Sequence, residues 1–375
     1  MIIGVPSEVK QDEYRVAAAP AGVEAFRAAG LRILIQKGAG SGSGISDAEF
    51  EAAGAEVVED AEAVWSRADM VLKVKEPMSE EFHFFRDGLL LFTFLHLAAN
   101  PPLVEALAQA RVDSVAYETI RLPDGTFPLL APMSQIAGRM SIQEGAKYLE
   151  APEGGRGVLL AGAPGVEPGT VVILGGGVVG KNAAKVAVGM GANVILLDVN
   201  HRQLSYLDDV FGGRLKTLAS NSFNVRDAVR RADLVVGGVH EAGARAPKLV
   251  SAELVRRMKP GSVIVDVAID QGGCVETSRP TYHREPTFEV DGVIHYCVAN
   301  MPGAVSRTST FALTHATLPY ALTLAESGIL KAAATDPALR QGINLYQGQV
   351  VYQAVAEAVG ADHYPLDDLL KSPVA

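Results

Sequence analysis

The chain has 375 residues, of which 48% are hydrophobic and 20% charged, and its formal net charge is −10 at pH 7. This length favours two domains or one large one, and the composition is that of a globular protein with an ample core. The acidic balance argues against nucleic acid as the main partner, and no apolar run approaches the roughly 20 residues that a membrane helix needs.

Short apolar runs alternate with helical patterns through the first part of the chain. The N-terminus, Met1–Pro6, has no basic residue before its apolar ones and is predicted to be a first strand rather than a secretion signal. The other predicted strands are Arg32–Ile35, Met70–Val74, Leu89–Phe92 and Ser114–Tyr117, with the first one covering Ile2–Val5. The predicted helices include Ala21–Ala29, Asp47–Ala53 and Pro102–Ala110. This alternation predicts a mostly parallel sheet that is covered by helices on both faces.

Two cationic positions follow strands of this predicted sheet. Arg15 lies after the polar turn that follows the first strand, and Lys75 ends a later one. Open α/β sheets bind ligands at the carboxyl ends of their strands, so both are candidate ligand-binding residues. The sequence leaves an alternative open for each. Arg15 would be a surface residue paired with Glu8 or Glu13, and Lys75 would be a solvated lysine beside Lys73.

A histidine follows a third strand. His96 closes the hydrophobic run Leu89–Leu95 and is therefore expected to be desolvated. A histidine in that setting is suited to act as an acid or base near neutral pH. The commoner role of such a residue is a core histidine bonded to the backbone, and the sequence alone leaves both possibilities open.

A turn, a long helix and a loop come next. Leu122–Thr126 carries the Pro-Asp-Gly signal of a turn. Ser134–Glu150 is predicted to be one long helix, with Ser134 as its N-cap and small residues such as Gly138 allowing close packing. Gly154–Gly169, which is rich in glycine and proline, is predicted to be a loop.

A glycine-rich turn in the middle of the chain predicts a dinucleotide site. Gly175, Gly177 and Gly180 stand in G-x-G-x-x-G order between an apolar strand and a helix with many small residues. This pattern provides a tight turn, close approach to a pyrophosphate and a helix N-terminus that favours an anion. Asp198 ends the next strand near the usual spacing for an acid that bonds the ribose, which favours NAD over NADP. Arg202 weakens that preference slightly.

The later strands of this region are predicted at Asp233–Val236, Ser262–Val265 and Val293–Cys297. Asp270 would lie past the carboxyl edge of the sheet, near the nicotinamide end of a dinucleotide, although a turn aspartate before Gln-Gly-Gly is common. Cys274 and Cys297 are the only two cysteines and fit no zinc spacing. We therefore predict reduced thiols, no metal site and a cytoplasmic location.

From Thr308 onward the pattern is helical. Thr310–Ser327 is one long segment in which Pro319 is expected to cause a kink, and Val350–Val359 is a further helix. These closing helices have no predicted sheet of their own to cover. We therefore expect the chain to return to the first domain.

The prediction is an α/β protein with two doubly wound domains. A Rossmann domain of residues 129–304 is inserted into a discontinuous flavodoxin-like or Rossmann-like substrate domain of residues 1–128 and 305–375.

Several segments in this order resemble the alanine dehydrogenase/pyridine nucleotide transhydrogenase family. The segments that carry the resemblance, besides the glycine turn, are Gly4–Pro20, Val74–Pro77, Phe92–Ala98, Val267–Gly273 and Arg307–Phe311. The resemblance implies NAD-dependent, reversible oxidative deamination of L-alanine to pyruvate and ammonium. It also implies a homo-oligomer, a hexamer in this family, with no nucleic-acid or membrane partner.

The resemblance also implies residue roles. Arg15 and Lys75 would hold the carboxylate and keto groups of the substrate, and His96 would be the general acid/base. Asp270 would assist proton steps beside the nicotinamide, and Asn300 would lie on the substrate side. The implied NAD contacts are Ser134, Gly175, Gly177, Val178, Val179, Gly180, Asp198, Ser220, Val239, Val267, Asp270, Val298 and Met301.

The chain departs from the family pattern at Asp12, Ala19 and Phe94, and in the polar loop Val239–Gly243. These departures leave fine details of substrate and cofactor contact open. Three alternatives remain: the nucleotide-binding subunit of a proton-translocating transhydrogenase, a saccharopine-type dehydrogenase, and a non-catalytic NAD-binding protein. The four charged candidates taken together favour the deaminating enzyme.

Overall fold

The computed structural model describes residues 1–239 and 246–371. They form two compact units. Unit 1 combines residues 1–133 with those from 305 onward, and unit 2 is Ser134–Ala304. The chain enters unit 2 a few residues later than position 129, where the sequence placed the change of domain.

The first segment alternates strands and helices from its first residues. Its strands are β1 (Ile2–Val5), β2 (Arg32–Gln36), β3 (Glu56–Val58), β4 (Met70–Leu72), β5 (Leu90–Thr93) and β6 (Asp113–Ala116). Its helices are α1 (Pro20–Ala28), α2 (Asp47–Ala53), α3 (Ala61–Arg67), α4 (Pro101–Gln109) and α5 (Ala131–Tyr148). Single 3-10 turns form at Ser79–Phe84, Leu97–Ala99 and Tyr117–Thr119.

The middle segment repeats this alternation. Its strands are β7 (Thr170–Leu174), β8 (Asn193–Asp198), β9 (Lys216–Ala219), β10 (Leu234–Gly237), β11 (Val263–Asp266), β12 (Thr287–Val290) and β13 (Val293–Tyr296). Its helices are α6 (Val178–Gly189), α7 (His201–Phe211), α8 (Ser222–Arg231) and α9 (Ala252–Val255). The last segment has α10 (Ser306–Thr335), α11 (Pro337–Gly342), β14 (Ile343–Tyr346), β15 (Gln349–Val350), α12 (Gln353–Val359) and α13 (Leu366–Lys371).

Each unit contains one mostly parallel sheet. The strand order in unit 1 is β15-β14-β6-β5-β4-β1-β2-β3, and in unit 2 it is β12-β13-β11-β10-β7-β8-β9. Among the strands of the described residues, β14 pairs antiparallel with β6 and β15, and β12 pairs antiparallel with β13. The other strand pairs are parallel. Because helices cover both faces, the central strands β4, β5 and β11 are buried along their whole length, and β7 is buried from Val171 onward. The predicted α/β class with two doubly wound sheets is confirmed.

The strand order reverses at one place in each sheet. Strand β1 lies between β2 and β4 in unit 1, and β7 lies between β8 and β10 in unit 2. The loops that follow the neighbouring strands β1 and β4 therefore run in opposite directions, and so do those that follow β7 and β10. Such a divergence opens a crevice at the carboxyl edge, where α/β proteins bind ligands. In unit 1, the loops after β1 and β4 hold Arg15 and Lys75. In unit 2, the loop after β7 is the glycine turn.

The predicted start of α5 is wrong, and the break in α10 is at a residue that was not predicted. Helix α5 begins at Ala131, so Ser134 lies inside it and is not its N-cap. Pro132 explains the earlier start, because a proline in the first turn has no N–H to leave unsatisfied. Helix α10 continues through Pro319, and its break is at Gly328, where φ is 72° and ψ is 164°. Glycine adopts that backbone conformation without a steric cost, so the chain bends there.

The chain returns to unit 1 after Ala304, but the predicted elements near its end are partly wrong. The closing segment does have strands of its own, β14 and β15, and α12 begins only at Gln353. The two strands join through Gln347 and Gly348, which both have positive φ (49° and 80°), as tight hairpin turns require. Strand β14 pairs with β6 and so extends the sheet of unit 1.

A buried acid at this edge makes stability depend on pH. Asp113 begins β6, and its carboxylate accepts a hydrogen bond from the Gln347 backbone N at 2.7 Å. Burial raises the pKa of Asp113 from 3.8 to about 6. A carboxyl group with a raised folded-state pKa adds stability at pH values below its unfolded pKa, and this stability is lost as the pH rises through about 6.

We therefore expect Asp113→Asn, which keeps the acceptor oxygen, to raise the urea midpoint of unfolding at about pH 8. The gain should shrink as the pH is lowered toward about 4, where the folded wild-type carboxyl is already protonated. Glu51→Gln, at an exposed carboxylate of α2, is the control. A gain of equal size at both pH values would contradict this prediction.

Candidate active site

Arg15 lies at the switch point of unit 1, after β1, and is only 3% exposed. Its guanidinium binds the carboxylate of Glu13 through both Nε and Nη2, and its Nη1 lies 2.9 Å from Met133 Sδ. Burial acts to raise the pKa of Glu13, but the hydrogen bonds and charge of Arg15 outweigh burial and hold that pKa below its ordinary value. Glu13 is therefore the partner that the alternative interpretation named, but the pair is buried and not on the surface.

Lys73 and Lys75 differ sharply although they are two residues apart. Lys73 is fully buried, and its Nζ lies 3.2 Å from Glu8 Oε2 and 2.9 Å from Glu81 Oε1. The interpretation of Lys73 as a solvated residue is therefore wrong. Glu8 also accepts hydrogen bonds from the backbone N of Val74 (2.6 Å) and of Lys75 (3.3 Å). This buried ionic cluster therefore fixes the backbone at Val74 and Lys75.

Lys75 is half-buried, and its pKa is lowered by burial first, and then by the positive charges of Arg15 and Lys10. Arg15 and Lys75 are both shielded from solvent to some degree and repel each other, so the surrounding fold must hold them in place. An anion that enters this space relieves the repulsion, so Arg15 and Lys75 together form a candidate carboxylate site.

His96 follows β5, the strand next to β4, but its environment differs from the prediction. Its side chain is 45% exposed, so the expectation of a desolvated or core histidine is wrong. The chain turns outward at His96, where φ is 50° and ψ is 37°. The ring lies parallel to that of Phe94 (2° between planes, 5.9 Å between centroids). The backbone N of His96 donates to Glu118 Oε1 at 2.6 Å.

The carboxyl ends of β1, β4 and β5 are adjacent in the sheet, so unit 1 brings Arg15, Lys75 and His96 to one edge. Five further residues support them: Glu8, Glu13, Glu81, Glu118 and Met133. Of these, only Glu8 and Glu13 were named from the sequence, as possible partners of Arg15. Glu118 had a detectable signal, because it directly follows the predicted strand Ser114–Tyr117.

The glycines of the turn in unit 2 serve two different purposes: one allows the turn to close, and another leaves space for a ligand. A Cβ atom on Gly180 would lie 1.8 Å from the Gly175 carbonyl oxygen, so the turn closes only with glycine there. Gly175 itself has a φ of 96°. A Cβ on Gly177 would meet no atom within 4 Å, although Gly177 caps the N-terminus of α6. The empty space at the positive end of a helix fits a pyrophosphate.

Asp198 lies at the end of β8, beside this turn. Its carboxylate accepts hydrogen bonds from the backbone N of Gly176 (2.5 Å) and of Asn200 (2.7 Å). Ser220 follows β9, and its backbone N donates to the Asp198 carbonyl at 2.9 Å. Val239 follows β10 and is half-buried, whereas residues 240–243 of the polar loop lie outside the described residues.

Helix α5 runs against the start of α6. A Cβ on Gly138 would lie 2.2 Å from the Val179 carbonyl oxygen, so the two backbones are in contact. Ser134 is four residues before Gly138 and therefore lies on the same face of α5. The half-exposed Val178 opens α6. The structure thus places Ser134, Val178 and Val179 around one helix N-terminus.

Asp270 is exposed and lies in the 3-10 turn Val267–Gln271, which follows β11. The turn is held by Asp266, which is 1% exposed and accepts from the backbone N of Cys274 at 3.0 Å. Asn300 follows β13, and its carbonyl accepts from His283 Nε2 at 2.8 Å.

Val267 is half-buried, whereas Val298 and Met301 are buried. The nucleotide candidates of unit 2 therefore follow β7, β8, β9, β10, β11 and β13, all at the carboxyl edge, apart from Ser134 in α5.

Within the described ranges, no group of three or more His, Cys, Asp or Glu side chains is arranged to hold a metal ion. Among the same residues, no helix is both long and apolar enough to span a bilayer.

Comparison with known proteins gives one family. Models of its two domains, described as alanine dehydrogenase/PNT, match residues 4–137 (N-terminal domain) and 141–353 (C-terminal domain). An alanine dehydrogenase of Methanococcus maripaludis is 59% identical over 371 residues, which is 99% of this chain and 100% of that protein.

Two solved structures are informative. An L-alanine dehydrogenase superposes with a TM-score of 0.94 at 53% identity, covering 96% of this chain and 99% of its own. A transhydrogenase from Sinorhizobium meliloti superposes with a TM-score of 0.81 at 25% identity, covering 94% of this chain and 100% of its own. The transhydrogenase is thus the more distant of the two neighbours in both sequence and structure.

Proposed function

The chain belongs to the alanine dehydrogenase/PNT family, and from this premise we propose that it catalyses the reversible, NAD-dependent oxidative deamination of L-alanine. In the forward direction L-alanine, water and NAD⁺ give pyruvate, ammonium, NADH and a proton. The enzyme is an oxidoreductase, and its cofactor is a nicotinamide nucleotide. NAD in particular is part of the proposal.

The observation that carries the proposal is the pair of cations at the switch point of unit 1. Arg15 and Lys75 lie after adjacent strands, and their mutual repulsion helps to lower the pKa of Lys75. L-alanine and pyruvate both carry a carboxylate, which this pair attracts and orients. In the reductive direction Lys75 also polarises the keto oxygen of pyruvate.

His96 exchanges the protons of the reaction. When bound, NAD⁺ accepts the hydride that leaves the α-carbon of alanine. His96 takes a proton from the water that attacks the resulting iminium carbon, and it returns a proton to the departing amine. Its exposed ring suits this role, because water and ammonia must both reach it. Asp270 and Asn300 are proposed to assist these proton steps.

The nucleotide groups of unit 2 support NAD as the cofactor. The open space at Gly177 admits a pyrophosphate, and the carboxylate of Asp198 stands where a ribose hydroxyl would bind. The same negative charge repels the 2′-phosphate of NADP. The family resemblance supports a homohexamer, and the unpaired buried thiols of Cys274 and Cys297 support a cytoplasmic location.

A substrate panel tests the proposed function. NADH formation is measured with L-alanine, glycine, L-serine and L-saccharopine, and NADH consumption with pyruvate plus ammonium. We expect L-alanine with NAD⁺ to give the highest kcat/KM. Hydride exchange between NADH and an NAD⁺ analogue without any amino acid would instead indicate a transhydrogenase subunit. Turnover of saccharopine alone would indicate the larger-substrate dehydrogenase, and no turnover would leave only nucleotide binding.

The cofactor preference rests on one charge. Asp198→Asn keeps an oxygen that accepts from Gly176 N but removes the negative charge. We expect the ratio of kcat/KM for NAD⁺ to that for NADP⁺ to fall by roughly 10- to 100-fold, since a charged hydrogen bond is lost and a repulsion is removed. Asp209→Asn, at an exposed acid of α7, is the matched control. An unchanged ratio would show that Asp198 does not select the cofactor.

A further inference from the structure

Glu118 follows β6, the neighbour of β5 in the sheet, and its carboxylate contacts the backbone at His96. The carboxylate accepts from the backbone N of His96 at 2.6 Å. It also accepts from the backbone N of Leu95 through both oxygens, each at 3.2 Å. One carboxylate thus accepts hydrogen bonds from two successive backbone N–H groups that lie beyond the end of β5.

These bonds stabilise an unusual backbone. His96 has a φ of 50° and a ψ of 37°, a left-handed conformation that residues other than glycine adopt rarely. Such a conformation persists only where the surroundings determine it. Glu118 supplies that constraint from a separate loop, and the constraint sets the direction in which the His96 side chain leaves the backbone.

The same carboxylate also faces the ring. Glu118 Oε1 lies 3.9 Å from His96 Nδ1, and the Phe94 ring lies parallel to the imidazole. A second carboxylate, Glu76, acts electrostatically on His96 from the segment after β4, but it is ion-paired with Lys10. Glu118 is therefore the carboxylate whose position is fixed relative to both the backbone and the ring of His96.

We propose that Glu118 is a positioning residue for the acid–base histidine. It holds the His96 backbone and places a negative charge beside Nδ1. That charge favours the tautomer with the proton on Nδ1, which leaves Nε2 to accept a proton, and it stabilises the imidazolium that then forms. The inference rests on the proposed function, in which His96 exchanges the protons of alanine oxidation.

The charge and the backbone contacts can be separated by substitution. Glu118→Gln keeps an oxygen that accepts from the Leu95 and His96 N–H groups but carries no charge. Glu118→Asp keeps the charge but is shorter by one methylene. Glu105→Gln, on the exposed face of α4, is the matched control. For each variant we would measure kcat, KM for L-alanine, the pH profile of kcat/KM, NADH binding and the unfolding midpoint.

For Glu118→Gln we expect kcat to fall by about tenfold, with KM and NADH binding nearly unchanged. The acidic limb of the kcat/KM profile should move to lower pH, because the negative charge beside His96 Nδ1 is removed. Glu118→Asp should retain more kcat and move the limb less.

Four results would decide against the proposal. If wild-type protein does not oxidise L-alanine, the proposed function and this inference both fail. If the wild type is active and Glu118→Gln matches it in kcat and pH profile, only the inference fails. The same holds if kcat falls in parallel with the unfolding midpoint while the acidic limb stays in place, because Glu118 is then structural. If Glu118→Gln does not fold, a kcat of Glu118→Asp that falls only in parallel with its unfolding midpoint overturns the proposal, because Glu118 is then structural.

Discussion

Replacement of His96 by alanine is expected to lower kcat for L-alanine oxidation by about 10²- to 10⁴-fold, which is the usual contribution of a general acid/base. NADH affinity should remain unchanged, because the nucleotide groups belong to unit 2. Stability should also change little, since the ring is 45% exposed and its loss leaves no cavity in the core. Single-turnover kinetics and NADH titration would separate the two effects.

The exposure of His96 permits a sharper test of its role. Free imidazole should enter the space left in His96→Ala and restore part of kcat, with a dependence on pH that follows the neutral base. His83→Ala, at an exposed histidine elsewhere in unit 1, is the matched control and should behave as wild type. Turnover that survives in His96→Ala without imidazole would refute the assignment of His96 as acid/base.

The second large effect is expected at the glycine turn of unit 2. In Gly180→Ala, the new methyl group would lie 1.8 Å from the Gly175 carbonyl oxygen, and both atoms belong to the turn itself. The turn must open to accept it, so the first residues of α6 lose the alignment that would bind a pyrophosphate. We expect NADH affinity to fall by about 100-fold or more, together with a lower unfolding midpoint.

Two other glycines of this region provide matched controls. Gly189→Ala places the same methyl group in open space at the exposed end of α6, so it should leave binding and stability unchanged or slightly improved. In Gly177→Ala the methyl group meets no protein atom, so the fold should survive while NADH binding weakens. Wild-type NADH affinity in Gly180→Ala would show that the turn is not the nucleotide site.

Local pattern was sufficient for much of the fold. Strand β1 and helix α2 have the bounds that their residues predicted, and β10, β11 and β13 differ from prediction by a residue at one or both ends. Buried parallel strands are continuous apolar runs, which a reader of the sequence detects directly. The short edge hairpin β14–β15 was missed, because four residues beside a helical pattern carry little periodic signal.

The candidate site was predicted unevenly for a related reason. Arg15, Lys75 and His96 were found because each follows a strand, and strand ends can be predicted from local sequence. The environments of the residues at these strand ends were not predicted correctly. Lys73 proved buried and ion-paired, and His96 proved exposed. The burial of a loop residue depends on which distant segments cover it.

By itself the sequence determined the α/β class, the dinucleotide turn and the identity of the charged residues at the strand ends. Each of these depends on residue types within a few positions of one another. Only the tertiary structure decided that Glu13 pairs with Arg15, that Glu8 and Glu81 neutralise Lys73, and that Glu118 lies against His96. These carboxylates pair with Arg15, with the buried lysine beside Lys75, and with the backbone of His96. Glu8 and Glu118 reach their partners from separate connections, across a sheet whose strand order no local pattern encodes.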